Sequence, residues 1–210
     1  MNERELRTKY VSTAQQYLGC KESDGSHKKI IDLYNTQKPL PRGYKLKYTD
    51  DWCAGFVTAV GIKAGLSDII LPECSCGEMV ALYQKAGRWK EDDNYKPTMG
   101  DIIMYDWQDT GTGDNKGWPR HVGIVTDVTN NVISVIEGNK GDAVAYRTLS
   151  VGGKYIRGYC LPDYGKMAQS DARAVVKAKA GLEEATLDYI EAYKYGKELM
   201  EKLAKAMKGR

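Results

Sequence analysis

The chain has 210 residues, 42% hydrophobic and 28% charged, with a formal net charge of +3. That size suits one catalytic domain with an appendage, and the composition excludes a disordered or low-complexity protein. The near-balanced charge, with no basic stripe interleaved with aromatics, argues against nucleic acid as a partner, and no run of about 20 apolar residues is present to span a membrane.

In chain order, Met1–Arg7 lack the apolar core of a signal peptide, so the expectation is a protein made in the cytoplasm and delivered to any outside substrate by other means. Residues 3–18 predict an amphipathic helix, with Leu6, Tyr10, Ala14, Tyr17 and Leu18 at helical spacing and Gly19 as its stop. A second helix is expected from Ser26 through Tyr34, with His27 at a solvated helix end. Residues 36–49 read as a loop. The next helix opens at Cys53, with Thr49, Asp50 or Asp51 available to cap it, and ends at Gly65. It is apolar on more than one side, which marks a core helix. Residues 76–87 predict another helix, and Trp89–Tyr95 a polar loop.

From residue 97 the period changes to that of strands. Ile102–Tyr105 is an apolar strand, and Trp107–Pro119 a long loop holding Trp107, Trp118 and three glycines. Strands at about 121–128 and 132–137 flank a Thr129-Asn130-Asn131 turn. Two more are expected at 143–149 and 155–161. Helices followed by hairpin strands predict an α+β fold with N-terminal helices packed on an antiparallel sheet. Residues 166–210 form a separate C-terminal helical segment, a hairpin or a single long helix, with an apolar stripe from Leu182 to Met207.

Five cysteines at scattered positions do not make a disulfide framework, and Cys74 and Cys76 are too close together for the usual paired zinc spacing. Unlinked thiols in a reducing compartment are expected. Cys53 is distinctive because a helix N-terminus favours negative charge and its free N–H groups hold an oxyanion. His121 opens a strand at the mouth of the sheet, where an imidazole accepts a thiol proton and returns it to a leaving amine. Glu137 ends the neighbouring strand, close enough to orient that ring. Asn139 reads either as a second orienting group or as a turn residue. Trp107 and Trp118, in the loop that precedes His121, read as one wall of a substrate groove or as anchors of the loop.

Trp52-Cys53-Ala54-Gly55-Phe56-Val57, Pro97-x-x-Gly100-Asp101-Ile102-Ile103, His121-Val122-Gly123-Ile124-Val125 and Ile136-Glu137-Gly138-Asn139, in that order, resemble the CHAP family of cysteine amidohydrolases and peptidases. The likeness is to the branch used in endolysins of phages that infect Gram-positive bacteria. It implies a papain-like α+β domain over residues 1–165 that cuts peptidoglycan, as an N-acetylmuramoyl-L-alanine amidase or an endopeptidase. It also implies Cys53 as nucleophile, His121 as base, Glu137 as orienting acid and Asn139 as auxiliary, and peptidoglycan of a Gram-positive-type wall as partner. An inactive wall-binding module or an acyltransferase on the same fold are the alternatives. Some members hold calcium before the cysteine, but here Gly43–Tyr48 is basic and Asp106, Asp109 and Asp114 lack calcium-loop spacing, so no metal or cofactor is expected. The C-terminal helices read as a wall-binding module, or as a helical pair that docks on the domain or joins two copies.

Overall fold

A computed structural model describes residues 1–92, 94–109 and 117–208. The chain divides into two compact units, Thr8–Pro162 and a smaller one made of Met1–Arg7 with Asp163–Arg210. The elements run α1 (Glu3–Gln15), α2 (Lys28–Tyr34), α3 (Cys53–Ala64), α4 (Cys76–Lys85), β1 (Trp89–Lys90), β2 (Ile102–Tyr105), β3 (His121–Thr129), β4 (Val132–Glu137), β5 (Ala145–Ser150) and β6 (Ile156–Cys160), then α5 (Tyr164–Ala180), α6 (Glu184–Ala192) and α7 (Gly196–Lys208). The strands form one sheet in the order β1-β6-β2-β3-β4-β5, with every pair antiparallel. This is the α+β architecture that the order of helices and strands predicts. No helix among the described residues is long and apolar enough to cross a membrane.

In the larger unit, α3 packs against α2 and β3. Cys53–Gly61 and Ala64 are all buried. Phe56, Val57 and Val60 are fully enclosed, and side chains of this kind contribute about 1.5–3 kcal/mol each when buried. A missing N-cap costs only about 1 kcal/mol, so burial holds the helix and its first turn is left free for chemistry. Gly65, at φ 66°, closes the other end: Leu66 N–H donates to Gly61 O (2.8 Å). On one face of the sheet, Ile103, Tyr105, Val125, Ile133, Val135, Ile156 and Tyr159 form a single apolar cluster.

The β3–β4 hairpin sets the phase of the site. Asn130 and Asn131 both have positive φ (50° and 66°), the backbone of a two-residue hairpin turn. From the turn the register runs Thr129↔Val132, Val128↔Ile133, Asp127↔Ser134, and then shifts to Val125↔Val135 and Ile124↔Ile136. Thr126 is the extra residue, and its hydroxyl donates to Ser134 O (3.0 Å). Because side chains alternate faces, a one-residue slip moves a strand's whole set to the other face. Below the bulge His121 and Glu137 share a face; in the register of the turn they would lie on opposite faces.

Several expectations change in detail. Helix α1 stops at Gln15 and α2 starts at Lys28. Trp89–Lys90, expected in a loop, is an edge strand paired with β6. His27 is buried: its Nε2–H donates to Tyr48 O (3.0 Å) and its ring lies 5.9 Å from that of Trp52.

In the smaller unit, the segment expected as a hairpin or one long helix is three helices around Ala172, Val176, Leu187, Met200 and Ala204. Asp163 caps α5 by accepting from Lys166 N–H (3.0 Å), and Gly181 at φ 66° ends it. The apolar stripe breaks at Tyr193, where the backbone is extended. A Cβ at Gly196 would lie 1.8 Å from Ile190 O, so glycine is what lets the α6–α7 corner close. Tyr189 and Tyr193, which the spacing places on a buried stripe, are exposed. Arg173 pairs with Glu184, Asp188 and Glu191.

Candidate active site

Cys53 is the first residue of α3, and the helix has no side-chain N-cap. The carboxylates expected to cap it are engaged elsewhere. Asp50 accepts from Tyr44 O–H and Lys47 N–H (both 2.8 Å), and Asp51 accepts from Asn139 Nδ2 (3.3 Å). Trp52, fully buried, ties the turn down by donating Nε1–H to Glu22 (2.9 Å). A Cβ at Gly138 would sit 2.4 Å from Phe56 Cβ and 3.0 Å from Trp52. Glycine there brings the end of β4 directly against the start of α3, which is how helix and sheet meet at Cys53.

His121, 8% exposed, opens β3 opposite Tyr105. Its ring stacks on Tyr105 (5.7 Å, 25°) beside Trp107 (5.9 Å). Its Nε2 lies 3.1 Å from Glu137 Oε2. A carboxylate only accepts, so Nε2 carries the proton and Nδ1 is the nitrogen left for the Cys53 thiol, the neighbour that most raises the ring's pKa. Glu137 is wholly buried, and its other oxygen accepts from Arg147 Nε (2.6 Å). Burial pushes the Glu137 carboxyl up, but His121 and Arg147 outweigh it and hold it below its ordinary range.

Two groups at the site are not among those expected from the sequence, Arg147 and Cys76; Cys76 is the first residue of α4, and its Sγ lies 3.7 Å from Cys53 Sγ. The Cys76 S–H donor is the largest influence lowering Cys53. Burial opposes it, His121 adds to it, and the nucleophile is held down at about 5. Cys76 is pushed well up by the same contact and by burial. For His121, burial disfavours the charged ring, yet Cys53 and Glu137 raise it to about 9. A drop from the free-thiol value of about 8.5 is worth several kcal/mol. A helix N-terminus supplies about 0.3–1 kcal/mol, so the neighbouring thiol and imidazolium decide the charge.

The structure thus brings Cys53, His121 and Glu137 together. Asn139, expected as an auxiliary, is not on the ring. With φ at 57° it turns toward Asp51 and links the end of β4 to the segment ahead of Cys53, while Glu137 takes the histidine nitrogen. Trp107 lies parallel to Tyr105 (5.3 Å, 9°) with the Arg147 guanidinium 5.0 Å from its ring. Trp118, 65% exposed, lies over the first turn of α4, where a Cβ on Gly77 would sit 2.1 Å from its ring. The loop tip between the two tryptophans, residues 110–116 with Asp114, is outside the described residues. Asp106 accepts from Gln108 N–H (3.0 Å). No group of three or more His, Cys, Asp or Glu among the described residues is placed to hold a metal ion.

Arg147 and Cys76 each had a faint signal in the sequence. A buried glutamate requires a counter-charge, and Arg147 is the one cation in its strand. Cys76, like Cys53, opens a helix.

Chemically, the arrangement supplies a thiolate beside an imidazolium, at a helix N-terminus that no side chain caps. Residues 43–139 match the family described as CHAP domain, a span that takes in Cys53, Cys76, His121 and Glu137 and leaves Arg147 outside. No curated protein matches the chain. Among solved structures, "The crystal structure of Ly7917 with the hydrolyzing product of MDP" is similar at 14% identity and a TM-score of 0.41, over 74% of this chain and 62% of that one.

Proposed function

From the match of residues 43–139 to the CHAP domain family, we propose that the protein is a peptidoglycan hydrolase that cuts an amide bond through Cys53. The observation that carries the reading is the thiol–imidazole–carboxylate line of Cys53, His121 and Glu137, drawn from α3, β3 and β4. The Cys53 thiolate attacks the amide carbon, and the oxygen that becomes negative meets the N–H groups at the start of α3. The C–N bond breaks as the His121 imidazolium gives its proton to the leaving amine. The thioester left on Cys53 is cleared by water, whose proton returns to the now neutral ring. Glu137, backed by Arg147, keeps the ring in the tautomer this exchange needs and stabilises its charged form.

The bond cut is that of an N-acetylmuramoyl-L-alanine amidase or of an endopeptidase. The biological role is endolysin-like: the enzyme meets a Gram-positive-type wall after release from the cell that makes it. Trp107 beside the imidazole and Trp118 over α4 flank the nucleophile and line the groove for the substrate.

The test is clearing of purified walls. Cys53→Ala and His121→Ala should each lower the rate by about 10³-fold or more while circular dichroism stays unchanged, the scale on which loss of a nucleophile or its base acts. Undiminished clearing by Cys53→Ala refutes the mechanism. Mass spectrometry of the released muropeptides names the bond, since each candidate frees a different amine; a product carrying the acyl group on an added amine would make the protein an acyltransferase.

A further inference from the structure

Cys76 has no part in the hydrolysis just described beyond its contact with Cys53, yet it is placed as a reaction partner. The two sulfurs are 3.7 Å apart and both residues are buried at 8% exposure. We propose that Cys53 and Cys76 form a reversible oxidation site, in which a hydroperoxide converts the two thiols into a disulfide that takes the nucleophile out of action. The proposal rests on the reading that Cys53 is the reactive thiolate.

The geometry favours closure. A disulfide has an S–S length of about 2.05 Å, so the sulfurs need to close by about 1.7 Å. Each cysteine is the first residue of its helix. Side-chain rotation inside a helix is restricted by the preceding turn, and a first residue has no such turn behind it, so rotation about Cα–Cβ meets no helical backbone. The backbones themselves are clamped. Thr58, within α3, donates to Glu73 O (2.6 Å) and accepts from Glu73 N–H (2.9 Å). The Glu73 carboxylate accepts from Cys74 N–H (2.7 Å), Ser75 N–H (3.1 Å) and Arg42 (3.0 Å), just ahead of α4. One buried residue therefore ties the helix carrying Cys53 to the segment leading into Cys76, and the thiols stay paired rather than drifting apart.

The chemistry divides between the two sulfurs as in other thiolate–thiol pairs, where the low-pKa sulfur attacks and the second resolves. Cys53 is held as the thiolate and Cys76 keeps its proton. In the first step Cys53 S⁻ attacks the nearer peroxide oxygen. The O–O bond breaks, an S–O bond forms, the sulfur loses two electrons to become a sulfenic acid, and the departing alkoxide or hydroxide takes a proton. In the second, Cys76 attacks that sulfur, the S–S bond forms, the S–O bond breaks, and the hydroxide leaves with the Cys76 proton as water. Two thiols and one hydroperoxide thus give one disulfide, one alcohol or water from the peroxide, and one further water. A dithiol reverses the change by exchange. The link forestalls the sulfinic and sulfonic acids that a solitary catalytic cysteine reaches irreversibly. Among the other cysteines, Cys74 accepts a hydrogen bond from Arg42 (3.4 Å), and Cys160 is wholly enclosed.

The experiment treats the full chain with hydrogen peroxide at near-neutral pH, blocks remaining thiols, and maps cross-linked peptides by mass spectrometry while wall clearing is followed in parallel. The expected result is loss of two thiols per chain, a mass lower by two hydrogens, a Cys53–Cys76 peptide link, and clearing that stops and returns with dithiothreitol. Cys76→Ser under the same treatment should gain oxygen atoms on Cys53 and lose clearing permanently. Wild-type protein in which Cys53 gains oxygen while Cys76 stays free, or in which the link joins Cys76 to Cys160, overturns the proposal. The cross-link is read without turnover, so a chain that forms it but clears no wall refutes the hydrolase reading alone, and one that clears walls but never forms it refutes the oxidation site alone.

Discussion

The His121 ring is held between two negative charges, the Cys53 thiolate on one side and the Glu137 carboxylate on the other. With Cys53 held near 5 and His121 near 9, the ion pair exists between those values, and kcat/KM should follow a bell whose limbs belong to the coupled pair. Below the lower limb the thiolate is protonated; above the upper one the imidazolium loses the proton it owes the leaving amine. Glu137→Gln removes the charge that favours the imidazolium and leaves Arg147 uncompensated nearby. Both changes lower the histidine's value, so the alkaline limb should move down by about 1–3 pH units with a loss of rate. Asn139→Ala, whose side chain goes to Asp51, should leave that limb in place. A limb unmoved by Glu137→Gln would remove Glu137 from its role. Cys53, His121 and Glu137 were legible in the sequence because each stands at the end of an element, where a side chain meets another element. Arg147 lies mid-strand and Cys76 is 23 residues from its partner, so pairing them required the fold.

Among the elements, the hairpin of β3 and β4 shows most clearly what a sequence conceals. Both strands, their turn and the nearness of His121 and Glu137 follow from composition and loop length. The bulge at Thr126 does not: His121–Val125 are all buried, and a strand buried on both faces has no alternation in which a change of phase would appear. The short edge strand β1 was missed for a related reason, since two residues carry no period. Deleting Thr126 should be severe. Either the inner half of β3 turns its buried face outward or Glu137 leaves the ring, so activity and Tm should fall together. Thr126→Ala keeps the residue count and loses only the bond to Ser134 O, at a cost of about 1 kcal/mol, and its pH profile should match the parent. Equal behaviour of the two variants in thermal melts and pH profiles would mean that the register is set elsewhere.

Across the whole molecule, the change from helical to strand periodicity near residue 97 was enough to predict α+β. The break of the C-terminal segment into three helices was hidden, because Tyr193 and Gly196 interrupt a stripe whose spacing reads as continuous. Within the larger unit the nucleophile and Cys76 come from the helical half, and the His121–Glu137–Arg147 line that completes the nucleophile's charging comes from strands finished only at Ser150. A buried protein thiol ordinarily becomes more reactive when unfolding exposes it. Here the order should invert in mild acid. At pH 6 an unfolded cysteine is less than about 1% thiolate, whereas folded Cys53, held near 5, is mostly ionised. Iodoacetamide should therefore label Cys53 faster in the native protein than in urea at pH 6. The lower nucleophilicity of an acidic thiolate limits the advantage, and the order should reverse at pH 9.5. Faster labelling in urea at both pH values would show that the fold does not charge this sulfur. A chain still emerging from the ribosome, with β3 to β5 yet to be made, carries a cysteine that is chemically quiet, and the nucleophile switches on only when the sheet closes behind it.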